Sequence, residues 1–158
     1  SEVEMKEKKD RVEDALHATK AALEEGILPG GGTALYRAAM AINNGKDDTD
    51  NAKGQSILFS SIMEPLQTIL KNAGYNAHSL IQVMNMIDDE EDFWMGYDLS
   101  ESSTTNMLGE GIIDPAKVTR LALENAVSVA GTVMVTEAVV SNIKKEDKGN
   151  DMDFNQFM

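Results

Sequence analysis

Cysteine is absent from the 158 residues, which removes disulfides, thiolate nucleophiles and cysteine–zinc sites. Aromatics make up only 5%, so a core has to be built from Ala, Leu, Ile, Val and ten Met, a mixture that favours packed helices. Basic residues are outnumbered, 14 Lys and Arg against 27 Asp and Glu, and a net charge of −13 repels phosphate backbones. Nucleic acid is therefore not an expected partner. No apolar run approaches the roughly 18 residues of a membrane-spanning helix, and a membrane is not expected either. Walker A and G-x-G-x-x-G patterns are missing. Only His17 and His78 could serve as histidine bases, and neither has a sequence neighbour that completes a triad. There is no initiator Met; the chain opens inside a helical pattern at Ser1-Glu2-Val3-Glu4 and reads as a piece of a longer polypeptide.

Residues 1–25 read as one helix with Val12, Leu16, Thr19 and Leu23 along its apolar stripe. Asp14 falls near the middle of the opposite face, with Asp10, His17 and Ala21, where position alone makes it a solvated carboxylate. Gly26 can close this helix, and Pro29-Gly30-Gly31-Gly32-Thr33 then forms a hinge before the next one, with Thr33 as its N-cap. Three glycines at a helix start can be a plain turn, or a cradle whose N–H groups meet an anionic ligand.

The stretch 43–50 reads as a polar loop. Residues 54–73 read as a helix split by Pro65 and ended by Gly74. A short helix is expected over 79–86, then a solvated acidic run over 88–92. Residues 93–99 have strand character, and Met107-Leu108 and Ile112-Ile113 flank Gly109-Glu110-Gly111 in a hairpin-like unit. Asp114-Pro115 is a helix-start signal with Asp114 at the N-cap. Asp114 could equally accept hydrogen bonds from ribose hydroxyls. In the helix that follows, Gly131 calls for a close helix neighbour. Residues 138–143 read as a terminal strand, and the remainder as a tail. Spacing alone does not bring the glycines, Asp14 and Asp114 together.

Two long runs add a resemblance. EVEMKEKKDRVEDALHATKAALEEGILPGGGTAL near the start and GIIDPAKVTRLALENAVSVAGTVMVTEAVV from Gly111 to Val140 closely resemble the group I, GroEL-type chaperonins. The resemblance covers the chain up to Ile143, with residues 43–95 and the tail diverging most. It implies a mainly α-helical equatorial-domain fragment with a minor β hairpin and a terminal strand. Residues 1–24 would be the end of the intermediate domain, 25–143 the C-terminal half of the equatorial ATP-binding domain, and 144–158 a flexible tail. The family's phosphate and Mg²⁺ loop and its apical domain lie outside this stretch.

By the same resemblance, Asp14 in RVEDALHAT matches the catalytic aspartate that positions the attacking water. Gly31 borders the nucleotide, Gly30 and Gly32 shape the turn, Asp114 meets the ribose and Ile112 the adenine. The family's GYNA-like motif at the adenine end has two candidates: Gly74-Tyr75-Asn76-Ala77 in letters, Gly96-Tyr97-Asp98-Leu99 in place. Tyr97 stands 17 positions before Asp114, as in the family, and Tyr75 stands 39 before it. The choice therefore falls on Asp98, Leu99 and Ser100, with an aspartate where the family has asparagine. ATP, Mg²⁺ and K⁺ are the implied cofactors. Identical subunits in a double heptameric ring are the implied partners, with co-chaperonin and unfolded polypeptide bound by the apical domain. The implied location is bacterial cytoplasm, or alternatively an organellar matrix. Two rival readings are an inactive structural remnant, and an acidic calcium-binding module using residues 47–50 or 88–92.

Overall fold

The computed structural model describes residues 1–42 and 50–141. The polar stretch 43–49 and the tail 144–158 lie outside the described residues. The chain divides into two units, Ser1–Asn125 and Ala126–Met158.

In the first unit, helix α1, Glu2–Glu25, is opened by a capping box in which Ser1 and Glu4 satisfy each other's backbone donors. It closes at Gly26, whose φ of 87° only glycine takes cheaply. The expected apolar stripe is not the packed one: Val12, Leu16 and Leu23 are exposed, whereas Ala18, Ala21 and Ala22 are half-buried.

Strand β1, Ile27–Pro29, was not marked by any alternation in the sequence. It is followed by the glycine turn and by α2, Thr33–Ile42. Thr33 does not act as the expected cap. It is the first helical residue, 1% exposed, and its hydroxyl has no hydrogen-bond partner among the described residues. The turn is closed by backbone instead, Thr33 N–H to Gly30 O and Tyr36 N–H to Gly32 O, both 3.1 Å.

Helices α3, Asp50–Ile62, and α4, Glu64–Asn72, break at Met63, with Pro65 in the first turn of α4 where its missing N–H costs nothing. Helix α5, Ala77–Asp88, is longer than expected because Asn76 caps it, its Oδ1 accepting from Ser79 N–H at 3.0 Å. The core joins α2, α4 and α5 through Tyr36, Leu66, Leu70, Leu80, Val83 and Ile87, each contributing roughly 1.5–3 kcal/mol of burial.

The hairpin differs from the expected one. Strand β2, Met95–Asp98, pairs antiparallel with β3, Ser103–Asn106, in register Met95↔Asn106 to Asp98↔Ser103. Residues 107–111 form a tight turn rather than the start of a hairpin arm. Asn106 Oδ1 accepts from Gly109 N–H and Asn106 O from Glu110 N–H, which curls the chain there. Strand β4, Ile113–Pro115, leaves this turn and pairs antiparallel with β1.

Helix α6, Ala116–Met134, starts two residues after Asp114. The Asp-Pro start signal is thus displaced: pairing of Leu28 with Asp114 holds that aspartate in extended backbone, and it does not cap the helix. In the second unit α6 continues to Met134, and among the described residues nothing lies within 4 Å of a Cβ at Gly131. Described residues 135–141 form no strand, and 142–143 lie outside the described residues. A strand needs an edge to pair with, and none is paired with these residues among the described ones.

Candidate functional site: a glycine turn beside a two-stranded clasp

Three residue pairs, Ile27↔Pro115, Leu28↔Asp114 and Pro29↔Ile113, join β1 to β4. Two further backbone bonds extend the pairing: Gly30 N–H to Ile112 O at 2.9 Å and Ala116 N–H to Gly26 O at 3.0 Å. The clasp brings Gly30–Gly32 beside Ile112 and Asp114, residues some 80 positions apart in sequence.

The three glycines are not equivalent. A Cβ on Gly30 would stand 3.0 Å from Ile112 O, and one on Gly32 2.7 Å from Leu66 N, so both are spent on approach to backbone. Among the described residues a Cβ on Gly31 would meet only Met107 Cε, at an ordinary 3.7 Å. Gly31 is required by its φ of 65°, and it is half-exposed on its other side.

Asp114 is half-buried, and no hydrogen bond reaches its carboxylate among the described residues. Burial pushes that carboxyl above its ordinary range. A desolvated acceptor without a donor suits a ligand bearing hydroxyls.

Asp98 is 9% exposed, and its Oδ1 accepts from Ser100 N–H at 2.7 Å. The carboxylate is thereby turned into its own loop, while Leu99 packs on the core. Asp98–Ser100 are linked to the glycine turn through β2, whose Gly96 lies against both Met107 and Thr33. Tyr75, from the motif that matched in letters, meets the one that matched in place. Its hydroxyl lies 3.1 Å from Tyr97 Oη, and the rings stand edge to face at 6.1 Å.

Asp14 lies on a groove of about 410 Å³ whose opposite wall is Pro115, Lys117, Val118 and Leu121. Asp14 and His17 are exposed, as expected of that face, and they border this groove opposite the β4–α6 junction. What holds α1 there was not legible in the sequence. Glu24 pairs with Lys117, and Glu25 takes a two-pronged grip from Arg120. Each pair is misplaced on its own helix, glutamates at a C-terminus and cations at an N-terminus, and each offsets the other.

The acidic run is solvated as expected, with only Glu90 half-buried, while its backbone and Asp88 are tied to α2. Tyr36 Oη donates to Asp88 at 2.9 Å, and Arg37 donates to the carbonyls of Ile87, Glu90 and Met95. No group of three potential cation ligands occurs among the described residues.

Among solved structures, a group III chaperonin in the open state matches with a TM-score of 0.64 and 25% identity. The match covers 76% of this chain and 25% of that one, so this chain spans about a quarter of its length. The sequence matches the TCP-1/cpn60 chaperonin family over residues 1–144, from the helix bearing Asp14 through the strand bearing Asp114, and the chain belongs to that family.

Proposed function

We propose that this chain is the C-terminal part of a group I chaperonin subunit and supplies one wall of its ATP site. The observation that carries this reading is Gly31. It is the one glycine of the turn whose Cβ would meet no backbone, set beside Ile112 and a half-buried Asp114 that lacks a donor. In this reading the Gly31 backbone borders the nucleotide, with Gly30 and Gly32 fixing the turn. Asp114 accepts from the ribose hydroxyls, and Ile112 lies against adenine. Asp98 Oδ1 accepts from Ser100 N–H, so base recognition at Asp98–Ser100 goes through the Leu99 backbone and the Ser100 carbonyl. Mg²⁺ and K⁺ would supply neutralisation of phosphate charge, with Asp14 the residue of this chain that would lie near Mg²⁺. Asp14 orients the attacking water from the groove beside β4.

In the whole protein these residues serve ATP-driven folding of other polypeptides by a double heptameric ring of identical subunits. Co-chaperonin and clients bind through an apical domain, in bacterial cytoplasm or an organellar matrix. Residues 1–24 belong to the intermediate domain, 25–143 to the equatorial domain, and 144–158 to a tail. The chain alone, with one wall of the site, is a structural part without turnover.

In the full-length protein, Asp14→Ala is expected to leave Mg-ATP affinity nearly intact and to abolish most turnover. Unchanged turnover would remove Asp14 from the mechanism. Absence of nucleotide binding by the full-length protein would overturn the reading as a whole. Calorimetry with Mg-ATP on the 158-residue chain is expected to give no tight binding.

A further inference from the structure

Met107 carries no role in the reading above, yet three separate segments meet on it. It is 1% exposed. Its N–H donates to Trp94 O at 2.9 Å, and its carbonyl accepts from Ile112 N–H at 2.8 Å. Ile112 in turn accepts from Gly30 through its own carbonyl. The side chain runs the other way. A Cβ on Gly96 would stand 2.7 Å from Met107 Cγ and 2.9 Å from Sδ, so the glycine of β2 is what admits the thioether. The methyl beyond it reaches the inner side of Gly31. An unbranched side chain with three rotatable bonds can thread this path, where a β-branched one cannot.

We propose that Met107 is a positioning residue for the nucleotide, holding Gly31 and the Ile112–Asp114 strand in one fixed arrangement. The proposal rests on the ATP-site reading and adds a residue to it. Met107 does not touch the ligand. It backs the half-exposed glycine from the protein side and ties the strand behind it, so its length sets how far the turn can drift. A displacement of a fraction of an ångström in a preorganised site is felt as lost affinity.

The test uses the full-length protein, with the Kd for Mg-ADP from calorimetry and the thermal midpoint without nucleotide. Met107→Ala is expected to weaken binding about tenfold by leaving a void behind Gly31. Met107→Leu keeps nearly the same volume and is expected to stay within about twofold of wild type. Leu70→Ala, a truncation at an equally buried core position, is expected to lower the thermal midpoint comparably while leaving Kd unchanged. Should Met107→Ala fail to fold, Met107→Cys, which keeps the unbranched start of the path but lacks the methyl at Gly31, is read instead, with an expected loss of about threefold. Equal affinities in the Met107 and Leu70 variants would overturn the positioning role while leaving the ATP site standing. A wild-type protein that binds no Mg-ADP would overturn both.

Discussion

Arg120 holds Glu25 across 95 positions of sequence with two bonds, Nε to Oε2 at 2.9 Å and Nη2 to Oε1 at 2.6 Å. Both groups are solvent-facing, so the grip fixes geometry more than it adds stability. Arg120→Ala is expected to hasten amide exchange in the last turn of α1 with little change in the thermal midpoint. Equal exchange in both proteins would show that the grip does not hold the helix end.

The same contact has a pH signature. The Arg120 guanidinium holds the Glu25 carboxyl below its ordinary value of 4.5. An acid with a depressed folded pKa stabilises above its unfolded value and loses that contribution as pH falls through the folded one. The α1 end should therefore stay protected at neutral pH and loosen only below about 4.5. In Arg120→Ala the Glu25 titration, followed by carboxyl NMR, should move back up.

Gly31→Ala and Gly32→Ala separate conformation from space. Both positions have positive φ, costing about 1–3 kcal/mol for a non-glycine residue. At Gly32 the new methyl would also meet Leu66 N at 2.7 Å, adding about 1–3 kcal/mol of overpacking. Urea unfolding should rank Gly32→Ala clearly below Gly31→Ala.

Tyr36 predicts an alkaline limb. Burial, with the hydrogen bond to Asp88 second, raises its pKa far above the ordinary 10.0. A group whose folded pKa is raised stabilises fully below its unfolded pKa and loses that contribution as pH rises beyond it. Stability should fall above pH of about 10, and Tyr36→Phe should flatten that fall while costing about 1–2 kcal/mol at neutral pH.

Arg37→Lys tests the fork that spans the acidic run. A lysine ammonium cannot reproduce four donations to the carbonyls of Ile87, Glu90 and Met95. A loss of about 1–3 kcal/mol is expected in urea unfolding.

What periodicity and punctuation could reveal was local. The long first helix, the break at Pro65 and the strand at Met95–Asp98 follow from helix spacing, a missing donor and aromatic alternation. Strands β1 and β4 were hidden because each is three residues long and finds its partner about 85 positions away. Asp114-Pro115 has the letters of a helix start, and a non-local pairing overrode them. Thr33 was assigned to capping by residue type, yet tertiary packing against Gly96 buried its hydroxyl. For the site, the quoted runs pointed to Gly31, Ile112 and Asp114, which the fold does assemble. They said nothing of Met107, because its role depends on which glycines lie opposite it.

The clasp has a topological consequence. Gly26 and Ala116 are bonded to one another, so residues 27–115 leave and return through a single neck three residue pairs wide. Helix α1 and the start of α6 emerge from that neck side by side. A displacement of α1 would be carried both into the neck, near Gly31 and Asp114, and into α6 through Lys117 and Arg120. The lever and its pivot are encoded at opposite ends of the loop, and they become one joint only when that loop closes.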